Sequence, residues 1–181
     1  MAYKKTPRII YLIAQQDFRD EEFFIPKRIF EENGIEVVVA SIKKGVASGS
    51  LGGKADVDIA VKDADCKDYD ALVIAGGKGA LELKEHKEVI RLIREIAADT
   101  GKITAAICIA PAILAIAGVL QGKKATIWNI DGLKERILEE NSATYIAMPV
   151  VVDDNIITGN GPGAAEEFGR QIVKKLDQFL G

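Results

Sequence analysis

The sequence predicts an α/β sandwich around a mostly parallel sheet. Three observations carry this. Short aliphatic runs alternate with amphipathic stretches along the whole length. No linker, repeat or low-complexity segment interrupts them, so the 181 residues read as one domain, 1–181. Apolar residues make up 48% and charged residues 28%, enough to bury a core without a disulfide or metal staple.

Taken in order, residues 8–14 hold Ile9, Ile10, Tyr11, Leu12 and Ile13 and predict a buried strand. The spacing of Phe23, Lys27 and Phe30 predicts a helix over 20–33, with Asp20, Glu21 and Glu22 in its first turn, where carboxylates suit the helix dipole. Pro26 predicts a kink or a late start, and Gly34 a stop. Valine-rich 35–41 is a second strand. Residues 43–65 carry Gly45, Gly49, Gly52 and Gly53 and the alternation Val57, Ile59, Val61, which predict a loop with short antiparallel strands. A further apolar strand, 69–75, ends in Gly76-Gly77-Lys78-Gly79. A helix over 84–98 aligns Val89, Ile93, Ile96 and Ala97 before Gly101 stops it.

Ile103 to Gly122 is an uncharged run of 20 residues, long enough to span a membrane. Six of those residues are alanine, and Pro111 and Gly118 break the run. It divides better into a strand over 102–107, a turn at 108–110 and a helix with Pro111 in its first turn, both elements buried. No membrane association is expected. Residues 124–128 predict a short strand and 132–140 a polar helix. Two strands, 144–152 and 155–158, turn around Asp153-Asp154-Asn155. The last helix, 163–180, buries Phe168, Ile172, Leu176 and Phe179.

Composition excludes several functions. A net charge of −3 argues against nucleic-acid binding, which needs a basic patch. Two cysteines, Cys66 and Cys108, form no disulfide framework and suggest a reducing, cytoplasmic setting, although a Cys66–Cys108 bridge stays open. With His86 as the one histidine, a structural zinc site is nearly excluded, and no cofactor is expected. Met1 to Arg8 is basic, but the apolar stretch after it is too short for a leader, so it reads as a strand.

Cys108 is the most informative residue. A strand-to-helix turn would lift it above the carboxyl edge of the sheet, where open α/β folds bind ligands. A helix N-terminus there would lower the thiol pKa; the competing reading is a packed small hydrophobe. The Asp20-Glu21-Glu22 trio lies at the same edge and offers a general acid or base, or simply a solvated helical turn. Glu22 borders Phe23, Phe24, Ile25 and Pro26, surroundings that raise a carboxyl pKa. Gly76-Gly77-Lys78-Gly79 supplies backbone N–H groups for an oxyanion or phosphate, or forms a tight turn. Gly159 to Ala164 matches G-x-G-x-x-A, but too little chain follows for a dinucleotide fold, so it reads as the tight start of a helix. His86, on a charged helix, reads as exposed and idle, and Cys66 as a loop residue.

The chain resembles the ThiJ/PfpI superfamily over nearly its whole length. The resemblance rests on Glu22 four residues before Pro26, Ala75-Gly76-Gly77, Ala105-Ala106-Ile107-Cys108, and Val150 to Asp153 leading to Ile157-Thr158 and Gly161-Pro162-Gly163. It implies a flavodoxin-like three-layer sandwich with a nucleophile elbow at Cys108, and Glu22 as the protonated partner of that thiol. It places the backbone N–H groups of Gly77 and Ile109 near the thiol, with Gly76, Trp128, Gly161 and Pro162 at the pocket. It also implies a homodimer or higher homo-oligomer. Peptidase-type members carry histidine directly after the cysteine, where this chain has Ile109. Deglycase-like members carry one in the strand after the elbow helix, where it has Trp128.

Three functions follow as expectations. The first is a Cys108–Glu22 enzyme hydrating small α-oxoaldehydes, free or as protein adducts, in the manner of glyoxalase III or a deglycase. The second is an oxidative-stress sensor or chaperone-like protein working through Cys108 oxidation. The third is an intracellular cysteine peptidase, weakened by Ile109 and Trp128, because an amide leaving group needs an acid.

Overall fold

Buried aliphatic runs pair side by side in the centre of the molecule. The computed structural model describes residues 6–181; the leader reading of Met1 to Lys5 lies outside them. The strands are β1 (Arg8–Leu12), β2 (Gln16–Phe18), β3 (Glu36–Ser41), β4 (Gly45–Gly49), β5 (Lys54–Val57), β6 (Ile59–Ala60), β7 (Ala71–Ile74), β8 (Ile103–Ile107), β9 (Lys124–Ala125), β10 (Thr144–Tyr145), β11 (Val150–Asp153) and β12 (Ile156–Gly159). The helices are α1 (Asp20–Glu32), α2 (Lys87–Ala97), α3 (Pro111–Ile116), α4 (Glu135–Glu140) and α5 (Ala165–Leu180).

The main sheet has the order β11-β12-β8-β7-β1-β3-β6. It is parallel except where β11 pairs antiparallel with β12. Strands β7 and β8 are buried along their whole length, as a parallel sheet covered on both faces requires. Alternation sorts β1: Ile9 and Tyr11 face the layer of α1 and α5, and Ile10 and Leu12 face that of α2 and α3. The first layer is aromatic, with Phe18, Phe23, Phe30 and Phe168. The second is built mostly from leucine, isoleucine and alanine. Small sheets β2-β4-β5 and β9-β10 lie outside the main one.

Several boundaries differ from the sequence expectation. Helix α1 starts at Asp20 and runs through Pro26 to Glu32, so the late start is not seen. Pro26 has no N–H to give the Glu22 carbonyl, and the Tyr11 hydroxyl donates to that carbonyl instead. Helix α2 starts at Lys87 rather than at 84, because His86 is extended (φ −98°, ψ 112°) after a 3-10 segment, Ala80–Glu85. His86 is half-buried, not exposed. The predicted strand 124–128 shortens to Lys124–Ala125, and 144–152 splits into β10 and β11. A 3-10 turn, Pro162–Ala164, precedes α5, and α4 begins at Glu135 rather than at 132.

The uncharged run becomes β8 and α3, and among the described residues no helix is long and apolar enough to cross a membrane. Cys66 lies on a 3-10 turn, Cys66–Asp68, and both cysteines are free, so the bridge is not formed.

Candidate active site

Three adjacent strands, β8, β7 and β1, end at one edge and bring the candidate residues together there. Cys108 directly follows β8, at φ +64°, a left-handed conformation that a non-glycine residue adopts at some strain. β12 and the segment after β9 hold it there: its N–H donates to the Gly159 carbonyl (2.9 Å), and its carbonyl accepts from Trp128 N–H (2.8 Å). Gly76 and Gly77 follow β7. The chain after β1 returns through Arg19, whose N–H donates to the Gly76 carbonyl (2.9 Å), and enters α1. The third acid of that helix's first turn, Glu22, is thereby aimed back at Cys108.

Gly76 is the hinge of this contact. A Cβ there would overlap the Cβ of Cys108 and stand 2.5 Å from Oε2 of Glu22. Gly76 N–H instead donates to Oε2 (3.0 Å). Oε1 of Glu22 is buried without a hydrogen-bond partner, and the interacting neighbour of the carboxyl is the Cys108 thiol. Gly77 sits at φ +108°, with Asp17 and Arg19 backbone where a side chain would be. Gly161 lies under the Trp128 ring in the same way.

Each residue of the acidic trio has its own place. Asp20 accepts from Leu51 N–H (2.8 Å) and Gly53 N–H (2.7 Å), pinning the β4–β5 turn against the site. Glu21 forms a two-point ion pair with Arg19 (2.8 and 3.1 Å). Glu22 alone is fully buried.

Burial raises the Glu22 carboxyl to about 7, against weaker opposition from the Cys108 thiol, Gly76 N–H and Arg19. The expectation of a lowered Cys108 thiol is corrected. Burial and the Glu22 carboxylate push it up to about 12, outweighing the N–H groups of Gly77 and Ile109. Two of the three raising causes come from Glu22. The charge repulsion among them acts only while that group is ionised, so the pair exchanges its protons as a unit.

Cys108 opens onto a cavity of about 550 Å³. Glu22, Gly77, Ile109, Trp128 and Pro162 line it, with Gly76 and Gly161 directly behind. All eight residues expected from the sequence therefore meet at one place. Arg19, Ser50, Leu51, Lys78, Leu81 and Lys134 complete the lining and carried no individual sequence signal. His86 and Cys66 lie elsewhere. Among the described residues no cluster of three or more His, Cys, Asp or Glu side chains is arranged to hold a metal ion.

The model of the DJ-1/PfpI family matches residues 7–175. An uncharacterised protein of Methanocaldococcus jannaschii is 40% identical over 96% of this chain and 84% of its own. Deglycase PfpI of Pyrococcus furiosus is 32% identical over 93% of this chain and 99% of its own. The glutathione-independent glyoxalase DJR-1.2 of Caenorhabditis elegans is 27% identical over 98% and 91%. The crystal structure of a ThiJ/PfpI domain protein from Brachyspira murdochii superposes with a TM-score of 0.90 at 33% identity, covering 96% of this chain and 98% of that one. The chain belongs to the DJ-1/PfpI family.

Proposed function

We propose that this protein is a cysteine-dependent enzyme that hydrates small α-oxoaldehydes, with Cys108 as nucleophile and Glu22 as proton shuttle. One observation carries the reading: the Cys108 thiol and a fully buried carboxyl with an unpartnered oxygen face one cavity. The deglycase and glyoxalase names of the relatives support it.

The ionised Glu22 carboxylate takes the thiol proton as Sγ adds to the aldehyde carbon. The N–H groups of Gly77 and Ile109, which face the Cys108 sulfur, are the donors available to the new alkoxide. Glu22 returns the thiol proton to the alkoxide, giving the hemithioacetal and freeing the carboxylate. It then carries the C–H proton of the former aldehyde carbon to the neighbouring carbonyl carbon while the hydroxyl proton passes to the neighbouring oxygen, turning the hemithioacetal into a thioester of a 2-hydroxy acid. Water hydrolyses the thioester and restores the thiol. The net change is addition of one water, methylglyoxal becoming lactate.

This route needs no histidine, and among the described residues lining the cavity none is histidine. The peptidase alternative would require a neighbouring subunit to supply an acid. Lactate formation from methylglyoxal tests the proposal. It should vanish in Cys108→Ala and fall about 100-fold or more in Glu22→Gln. Because the carboxylate form of Glu22 accepts the proton, the wild-type rate should rise with pH through about 7. Undiminished lactate formation by Cys108→Ala would sink the mechanism.

A further inference from the structure

The lining of the cavity around Cys108 is richer in cations than in carboxylates, although the chain is acidic. The chain carries a net −3. Yet Arg19, Lys78 and Lys134 line the cavity, and Glu22 is the sole carboxylate among its described lining residues. The three cations come from three segments: the start of α1, the turn after β7 and the start of α4. Arg19 uses two donors on Glu21, leaving three of its five N–H groups for a ligand. The hydrogen bond with Glu21 raises the pKa of its guanidinium, and attraction from Glu22 and Cys108 adds to the shift. Lys78 follows Gly77, is exposed, and makes no ion pair among the described residues. Lys134 is steadied by Asp131 (2.5 Å). The Ser50 hydroxyl also lines the cavity, and its oxygen is buried without a hydrogen-bond partner.

We infer that this pocket selects small carbonyl compounds that carry a negative charge, a carboxylate or a phosphate, with Lys78, Arg19 and Lys134 as the selecting groups and Ser50 as a donor to the bound anion. The inference rests on the proposed function for the role of Cys108, and it sharpens the substrate class. A neutral aldehyde gains nothing from three cations. An anionic one is concentrated in a low-dielectric cleft lined by the opposite charge.

Two alkylating reagents of nearly equal shape test it. Iodoacetate is anionic and iodoacetamide neutral, and both lose iodide when Sγ attacks their methylene carbon. Their rate ratio at Cys108, in a Cys66→Ser background, cancels the ionisation of the thiol itself. The ratio should exceed that of 2-mercaptoethanol by about tenfold at low salt. It should fall towards that reference in Lys78→Gln and Arg19→Gln, and at about 1 M salt, where the screening length is about 3 Å. A ratio at or below the reference overturns the selection. If Cys108 resists both reagents, the single tryptophan, Trp128, reports binding at the pocket wall. In Cys108→Ser, glyoxylate should then quench its fluorescence at lower concentration than neutral glycolaldehyde, and equal or absent quenching overturns the selection. Competition by inorganic phosphate against acetate separates the two anion types. A raised ratio without lactate formation would remove the proposed reaction and leave the selection standing; lactate formation with a flat ratio would do the reverse.

Discussion

The interior of the sheet and its carboxyl edge are built on opposite rules. In the interior, β1, β7 and β8 carry apolar or aromatic side chains apart from Arg8 at the start of β1 and Thr104, paired in unbroken register. At the edge, a few residues further along the same strands, Cys108 and Gly77 adopt left-handed backbone, a carboxyl is buried, and one of its oxygens has no partner. The interior follows local preferences closely, the buried Thr104 hydroxyl apart. The edge violates several at once, as sites committed to chemistry do. The strands that hold it supply the stability it lacks.

The contrast can be broken by shifting stability and chemistry separately. Leu92, fully buried on α2, belongs to the interior alone. Leu92→Ala should cost about 2–5 kcal/mol in a denaturant titration. The activity per folded molecule should stay at the wild-type level; a large fall would mean that the two regions are not separable.

The next effect runs in the opposite direction. The folded-state pKa of Glu22 lies above its ordinary value of 4.5, at about 7. The protonated group therefore favours folding below about 4.5, and that contribution is lost as pH rises through about 7. Glu22→Gln removes the charge and keeps the shape. Relative to the wild type, it should gain about 3 kcal/mol of stability between about pH 4 and pH 8, while losing activity. Parallel stability–pH curves for the two proteins would show that Glu22 titrates normally and that the edge is not strained by charge.

The smallest effect concerns the rim. Asp20→Asn weakens the two N–H contacts that hold the β4–β5 turn, at about 1 kcal/mol. Its signature should be a higher KM with kcat little changed, because Ser50 and Leu51, on the turn these contacts hold, line the cavity. An equal fall in kcat would move this turn from binding into catalysis.

The sheet strands were legible because a strand buried on both faces must be a continuous apolar run, and 8–14, 69–75 and 102–107 have that form. Cys108 was legible as the one residue with reactive chemistry at a strand-to-helix turn. The strand over 124–128 was misread because its aliphatic pattern outlasts its pairing. After Ala125 the chain turns so that Trp128 N–H meets the Cys108 carbonyl, and β10 offers only two residues to pair. The kink and late start at Pro26 were inferred from its missing N–H alone. The sequence around Pro26 could not reveal that Tyr11, fifteen residues earlier, caps the freed carbonyl.

By itself, then, the order of residues determined the layered fold and which side chains are chemically capable, because periodicity and side-chain chemistry are local. Only the tertiary structure decided which partners Asp20 and Glu21 take and which direction the thiol titrates. It also decided that Arg19, Lys78 and Lys134 share one cavity. Electrostatics depends on distance and burial in three dimensions, and strand order sets both.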